Sequence, residues 1–141
     1  MSSASQSLSL PEQNKQLLIR WFDEVWNNGS RETISELFAE NGVIHDGSKE
    51  YRGPREFERF YDALQAQFSD IKITPIASVA EDDRVALHWS CAARHKETQK
   101  HMDITGTSIV RVENGRFVEA WQNWDAAHMY AEITGQSILP F

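Results

Sequence analysis

Two neighbouring polar residues near the C-terminus, Asn123 and Asp125, have the chemistry of a proton-transfer site. The preceding Asn114-Gly115 is typical of a two-residue β-hairpin turn, which needs positive φ at both positions. Alternation along the returning strand then puts one set of residues on one face, namely Phe117, Glu119, Trp121, Asn123 and Asp125. A carboxylate beside apolar rings loses solvation and becomes a better base or general acid. The residues alone favour the alternative that Asp125 caps the following helix.

The spacing of apolar residues changes from helical to strand-like about halfway along the chain. Apolar residues recur at helical spacing from Leu17 to Trp26, then over Ile34–Phe38 and Phe57–Phe68. Beyond Ile71 the period becomes two, which indicates long strands up to Asp125 and then a short helix that ends at Gly135. Helices followed by a meander of strands predict an α+β fold with the helices on one face of the sheet.

Length and charge exclude several classes of protein. With 141 residues the chain predicts one domain, from residue 11 to 141 after a flexible tail of residues 1–10. Its formal net charge of −7 argues against binding nucleic acid or a membrane surface. A single cysteine, Cys91, cannot form an intrachain disulfide and indicates a reducing compartment, so we expect a cytoplasmic protein.

Four segments resemble the SnoaL-like polyketide cyclase family of the nuclear transport factor 2-like superfamily. They are LLIRWFDEVWNNG at 17–29, LFAENGVIHD at 37–46, DRVALHW at 83–89 and RVENGRFVEAWQNWD at 111–125. The resemblance implies a cone-shaped, curved antiparallel sheet with N-terminal helices on its concave face, enclosing one cavity. It also implies dimerisation through the sheet and chemistry without metal or organic cofactor.

The resemblance assigns expected roles to individual residues. Asp125 matches the aspartate that ends the family's Trp-x-x-x-Asp block, and Trp121 matches its tryptophan. The acid/base position of the cyclases falls on either Asp125 or Asn123, and the resemblance leaves both open. Asn123 or His45 could then stabilise the developing oxyanion. Independently of the resemblance, strand alternation places Trp89 on an inward face, and helical stripes add Trp26 and Tyr61 to the predicted substrate-binding set. Trp124, of opposite parity to Trp121, is expected on the outer face as a dimer contact.

A possible metal-binding set and the single cysteine give less support to a chemical site. His101, Asp103 and His128 formally resemble a metal-binding set, but nothing in the expected fold gathers them, so no metal site is predicted. Cys91 fits a buried small side chain better than a nucleophile. We therefore expect a cofactor-independent cyclase, isomerase or lyase acting on a small apolar carbonyl or polyketide-like compound. The alternative is a non-catalytic ligand-binding or association module of the same fold.

Overall fold

The computed structural model describes residues 8–136, so the predicted tail lies largely outside the described residues. Four α-helices are present in that range: α1 Leu10–Trp21, α2 Glu32–Leu37, α3 Gly53–Gln67 and α4 Ala126–Thr134. The same range contains six strands: β1 Phe38–Asp46, β2 Lys49–Arg52, β3 Phe68–Glu81, β4 Arg84–His95, β5 His101–Glu113 and β6 Arg116–Trp124.

The first helix begins and ends where local sequence chemistry directs. Ser9 caps α1, because its Oγ accepts a hydrogen bond from the backbone N–H of Glu12 at 3.4 Å. Beyond Trp21 the chain continues for one π-helical segment, Phe22–Asn27. Asn27 then ties this segment to β3, since its side-chain amide exchanges two hydrogen bonds with the backbone of Ile73. The segment that carries Phe22 and Trp26 is thereby fixed against the sheet.

The six strands form one sheet in the order β2-β1-β6-β5-β4-β3. All neighbouring pairs are antiparallel except β1 and β6, which run parallel, so the sheet is mixed rather than wholly antiparallel as expected. The predicted hairpin turn is confirmed, with φ of 52° at Asn114 and 76° at Gly115. The parallel pairing is what brings the end of β1 beside the end of β6.

The hydrophobic core lies between the helices and one face of the curved sheet. Along β5 every second residue from Met102 to Val112 is buried, so one face of this strand belongs to the core. At one end of the core Trp21 packs among Phe38, Phe57 and Phe117, with ring centroids 5.2–6.5 Å apart. The architecture is α+β with helices against one face, as the sequence predicts. Between residues 8 and 136, no helix is long and apolar enough to cross a membrane.

Candidate functional site

A β-bulge in β6 resets the faces of the residues that follow it. Val112 pairs with Phe117, but the next partner of β5, Arg111, pairs with Glu119, so Val118 is an extra residue. One extra residue exchanges inward and outward positions for the rest of the strand. Ala120 is consequently buried, although unbroken alternation from Phe117 predicts it on the outer face.

The bulge reverses the faces of the sheet on which the two tryptophans of β6 lie. Trp124 and Gln122 face the helices, whereas Trp121 lies on the outer face beside Ile109 of β5. The predicted inward placement of Trp121 is therefore wrong, and so is the predicted outward placement of Trp124. The physical reason is the single inserted residue, which the hairpin turn itself does not reveal.

An apolar pocket, here called the inner pocket, lies between the helices and the sheet. Its volume is about 80 Å³. Its aromatic lining is Phe22, Trp26, Phe60, Phe68, Trp89 and Trp124. Three sulfur-bearing side chains, Cys91, Met102 and Met129, and aliphatic side chains of α3 and β3–β5 complete the wall. Gln122 is the polar side chain among its described lining residues.

A carboxylate stands directly behind the polar end of this wall. Asp46, the last residue of β1, accepts hydrogen bonds from Trp124 Nε1 and from Gln122 Nε2, each at 3.1 Å. The parallel β1–β6 pairing, in which Asp46 lies opposite Gln122, makes this contact possible across 76 residues of chain. Both donors line the inner pocket. Asp46 is thus linked to the inner pocket through two of the side chains that line it.

A second depression, here called the outer cleft, lies on the other side of these side chains. It is lined by Asp46, Gly47, Ser48, Lys49, Tyr51, Phe60, Gln122, Asn123, Trp124 and Ala126, with a volume of about 320 Å³. Burial, and to a smaller extent the negative charge of Asp46, raises the pKa of Tyr51, so its hydroxyl keeps its proton. The outer cleft therefore offers a carboxylate acceptor and a phenolic donor in one place.

Two of the residues predicted to bind substrate line the inner pocket. Trp89 is 6% exposed, and its indole N–H donates to Ser108 Oγ at 3.1 Å, which fixes the ring orientation. Trp26 lines the pocket from the π-helical segment. Tyr61 is buried behind Trp26 rather than in the lining, with ring centroids 5.0 Å apart and its hydroxyl bonded to the carbonyl oxygen of Val25. Tyr61 therefore supports the pocket wall.

The three predicted catalytic side chains do not line the inner pocket. Asp125 is exposed and caps α4, with its Oδ1 accepting from the backbone N–H of His128 at 2.9 Å. Asn123 is also exposed, on the rim of the outer cleft. Both placements follow from the bulge and from the end of β6 at Trp124. The capping alternative for Asp125 is what the geometry supports.

His45 lies on the outer face of the sheet. Its Nε2 is 2.8 Å from a carboxylate oxygen of Glu119, and its Nδ1 is 3.2 Å from one of Glu50. Its ring stacks on Trp121 with centroids 5.6 Å apart. His45 thus links β1, β2 and β6 on the side of the sheet that faces away from the inner pocket.

Cys91 lies in the lining of the inner pocket, where its surroundings change the pKa of its thiol. Burial, with a smaller contribution from Asp103, raises the pKa of its thiol to about 11. At neutral pH the thiol is therefore protonated and a poor nucleophile, in line with the expected small buried side chain. Within residues 8–136, His101, Asp103 and His128 form no group with metal-binding geometry.

Sequence reasoning missed Asp46, Gln122 and Tyr51. One feature of the sequence indicated a bulge in β6. Without a bulge, the charged residues Glu119 and Asp125 would point to the core side of the sheet together with Asn123. A bulge just after Phe117 places Ala120, Gln122 and Trp124 inward instead, which removes the charged residues from the core side. Asp46 had no local signal, since its partners come from the parallel neighbour strand.

The comparisons with known proteins agree on the fold. A family model described as a SnoaL-like domain matches residues 18–120. Among solved structures, a candidate SnoaL-like polyketide cyclase from Jannaschia sp. CCS1 is 17% identical, with a TM-score of 0.83 over 94% of this chain and 99% of that one. A second candidate polyketide cyclase, IdmH from Streptomyces antibioticus, is 26% identical, with a TM-score of 0.77 over 85% and 97%.

A third structure carries a small ligand. A Catenulispora acidiphila protein with a ketosteroid isomerase-like fold, solved in complex with trimethylamine, is 14% identical, with a TM-score of 0.74 over 89% of this chain and 94% of that one. Identities this low indicate a shared fold and carry no assignment of chemistry. No match was found among the curated proteins.

Proposed function

Because this chain belongs to the SnoaL-like family, we propose that it binds a small apolar carbonyl or polyketide-like compound and transfers a proton on it. The apolar part of the bound compound occupies the inner pocket, and Asp46 is the acid/base group at the polar end of that pocket. The reaction class is a cyclisation, isomerisation or elimination, each of which begins with removal of a proton next to a carbonyl group. IdmH, a candidate polyketide cyclase 26% identical to this chain, supports that class.

The observation that carries the proposal is the contact of Asp46 with both polar donors of the pocket wall. A general base must come within hydrogen-bond reach of the proton that it abstracts, directly or after small rearrangements on substrate binding. Gln122 and Trp124 already lie between Asp46 and the inner pocket. A ligand that displaces either donor meets the carboxylate, and the released amide or indole N–H can stabilise an enolate oxygen.

The second candidate function is non-catalytic ligand binding by the same pocket. It is favoured by one observation: among the described residues, the lining of the inner pocket includes no carboxylate or imidazole. Under this alternative Asp46 only orients Gln122 and Trp124. Catalytic roles for Asp125, Asn123 and His45 stay predictions, and replacing each by alanine in the same assay tests them.

The test separates binding from chemistry. Binding is followed by 1H–15N NMR with toluene, and we expect the indole N–H signals of Trp26, Trp89 and Trp124 to shift while that of Trp121 stays constant. For such a small ligand the expected Kd is on the order of 1 mM. Shifts confined to Trp121, or no shifts, would refute the proposed binding.

Chemistry is followed by deuterium exchange of the methyl protons of acetophenone in D2O. We expect the protein to accelerate this exchange and the Asp46→Asn variant to lose the acceleration while it keeps toluene binding. The matched control is Asp82→Asn, which changes an exposed aspartate in the β3–β4 turn. Toluene binding without accelerated exchange would favour the non-catalytic alternative.

We further propose that two copies associate through the outer face of the sheet. Trp121 and Ile109 are direct cross-strand partners on that face, and Ile109 is 39% exposed. Adjacent apolar side chains on an exposed face are typical of protein interfaces. Ile109→Lys should convert a dimer to a monomer in analytical ultracentrifugation, and a wild-type chain that sediments as a monomer would refute the proposal.

Cytoplasmic localisation, consistent with the single cysteine, also stays a proposal.

A further inference from the structure

The inner pocket and the outer cleft share one wall, here called the partition. It consists of Phe60, Gln122 and Trp124, whose side chains line both spaces. The two polar members of the partition are held in place by Asp46, each through one 3.1 Å hydrogen bond. A change in these hydrogen bonds therefore alters both spaces at once.

The volume of the inner pocket makes it too small to be the whole site. Its volume of about 80 Å³ is roughly half of the ~150 Å³ cavity that holds benzene in an engineered protein. A ring placed there must extend past the partition. The outer cleft, at about 320 Å³, begins on the other side.

The two spaces differ in chemistry. The inner pocket presents aromatic, aliphatic and sulfur-bearing side chains, so it takes an apolar group. The outer cleft presents Asp46, Lys49 and Tyr51, together with Asn123 on its rim. A ligand that spans both must therefore be apolar at one end and polar at the other.

The polar end of the ligand is specified by Asp46 and Tyr51. A carboxylate has about four acceptor positions, and Asp46 uses two of them on the partition, so it can accept a further donor. Tyr51 lines the same cleft and carries its hydroxyl proton at neutral pH, and burial and the Asp46 charge raise its pKa further above the ordinary value of 10.0. A hydroxyl or enol group fits this pair, since it donates to Asp46 and accepts from Tyr51. A carboxylate head fits less well, because Asp46 repels it even though Lys49 lies in the same cleft.

We infer that the outer cleft is the polar half of the ligand site, and that the ligand is an amphiphilic compound with an apolar ring and a hydroxyl or enol head. The head binds at Asp46 and Tyr51 while the ring passes the partition into the inner pocket. This inference rests on the proposed binding function and adds the class of ligand. It also explains why the Trp124 indole N–H is bonded to a carboxylate at the boundary of an apolar space.

The experiment compares phenol with toluene, which have the same shape and differ by a hydroxyl in place of a methyl group. We expect phenol to bind the wild-type chain about fivefold more tightly than toluene, because a hydrogen bond to a charged acceptor adds affinity. Phenol should also move the Trp124 indole N–H signal more than toluene does, since its hydroxyl adds a third donor to the carboxylate that accepts from the indole. Benzoate, with an anionic head, should bind more weakly than phenol.

Amino-acid substitutions test whether Asp46 causes the expected preference for phenol over toluene. In Asp46→Asn the Kd of toluene divided by the Kd of phenol should fall below about two while toluene still binds. Asp82→Asn should keep the wild-type value of this ratio. Trp124→Phe keeps an apolar partition but removes the N–H donor, so phenol should retain its preference there. Equal binding of phenol and toluene to the wild-type chain, a preference that survives in Asp46→Asn, or tighter binding of benzoate overturns the inference. Failure of both phenol and toluene to bind overturns the proposed function itself.

Discussion

Gly106 on β5 is the residue that lets Trp89 lie flat in the wall of the inner pocket. A Cβ atom added at Gly106 would lie 2.3 Å from Cζ2 of Trp89, 2.5 Å from its Cη2 and 2.9 Å from the carbonyl oxygen of Asn123. Carbon atoms in contact prefer separations of about 3.5–4.0 Å, so the indole in Gly106→Ala must move by more than about 1 Å. Trp89 then moves into the inner pocket that it lines.

The cost of this displacement has two parts. Overpacking of a buried site costs about 1–3 kcal/mol. Movement of the indole also breaks its 3.1 Å hydrogen bond to Ser108 and leaves buried polar groups without partners, at about 1–3 kcal/mol. Together these costs predict that Gly106→Ala lowers the free energy of unfolding by about 2–6 kcal/mol, a fall in Tm of roughly 6–20 °C. Toluene binding should weaken in parallel, because the displaced ring occupies the pocket.

A double-mutant cycle tests the assignment of this cost to the indole. Trp89→Phe removes the part of the side chain that carries Cζ2 and Cη2, so Gly106→Ala should cost at least about 1 kcal/mol less in that background. Urea unfolding followed by circular dichroism measures all four chains. An unchanged stability of Gly106→Ala, or an equal cost in both backgrounds, would show that the Trp89 indole does not limit the space at Gly106.

Three further predictions concern the residues around the site. Ser108→Ala leaves the Trp89 indole N–H without its acceptor and should cost about 1–3 kcal/mol in urea unfolding; an unchanged midpoint would contradict this. Asp125→Ala removes the cap on the His128 N–H and should cost about 1 kcal/mol, with equal stabilities as the contrary result. The folded-state pKa of Cys91, about 11, lies above its ordinary value of 9.0, so the native state holds this proton longer than the unfolded chain. Stability relative to Cys91→Ala should therefore fall, by up to about 2 kcal/mol, as pH rises from about 9 to 11; a difference independent of pH would contradict the buried thiol.

Local features of the chain were predictable because their causes are local. The turn at Asn114-Gly115 depends on the backbone freedom of two adjacent residues, and its prediction is confirmed. The inward placement of Trp89 followed from strand alternation, and β4 contains no bulge against β5 that could shift it. The change of apolar period along the chain predicted helices first, then long strands and a short last helix, and the fold confirms this general order.

The site was harder to predict because two non-local events determine it. The bulge at Val118 exchanges Trp121 with Trp124, and it depends on how β6 fits between two neighbouring strands. The pairing of β1 with β6 brings Asp46 to Gln122 from a distant part of the chain, where no spacing in the sequence connects them. A prediction based on alternation alone therefore finds the correct strand and selects its wrong face.

A crystal structure of the protein with bound phenol shows whether an apolar ring enters the inner pocket with its hydroxyl at Asp46. We expect electron density for the ring in the inner pocket, between Trp89 and Trp124, with the hydroxyl oxygen about 3 Å from a carboxylate oxygen of Asp46. Phenol bound only outside the inner pocket, for example against Trp121 on the outer face of the sheet, would exclude Asp46 as the group that binds the ligand head.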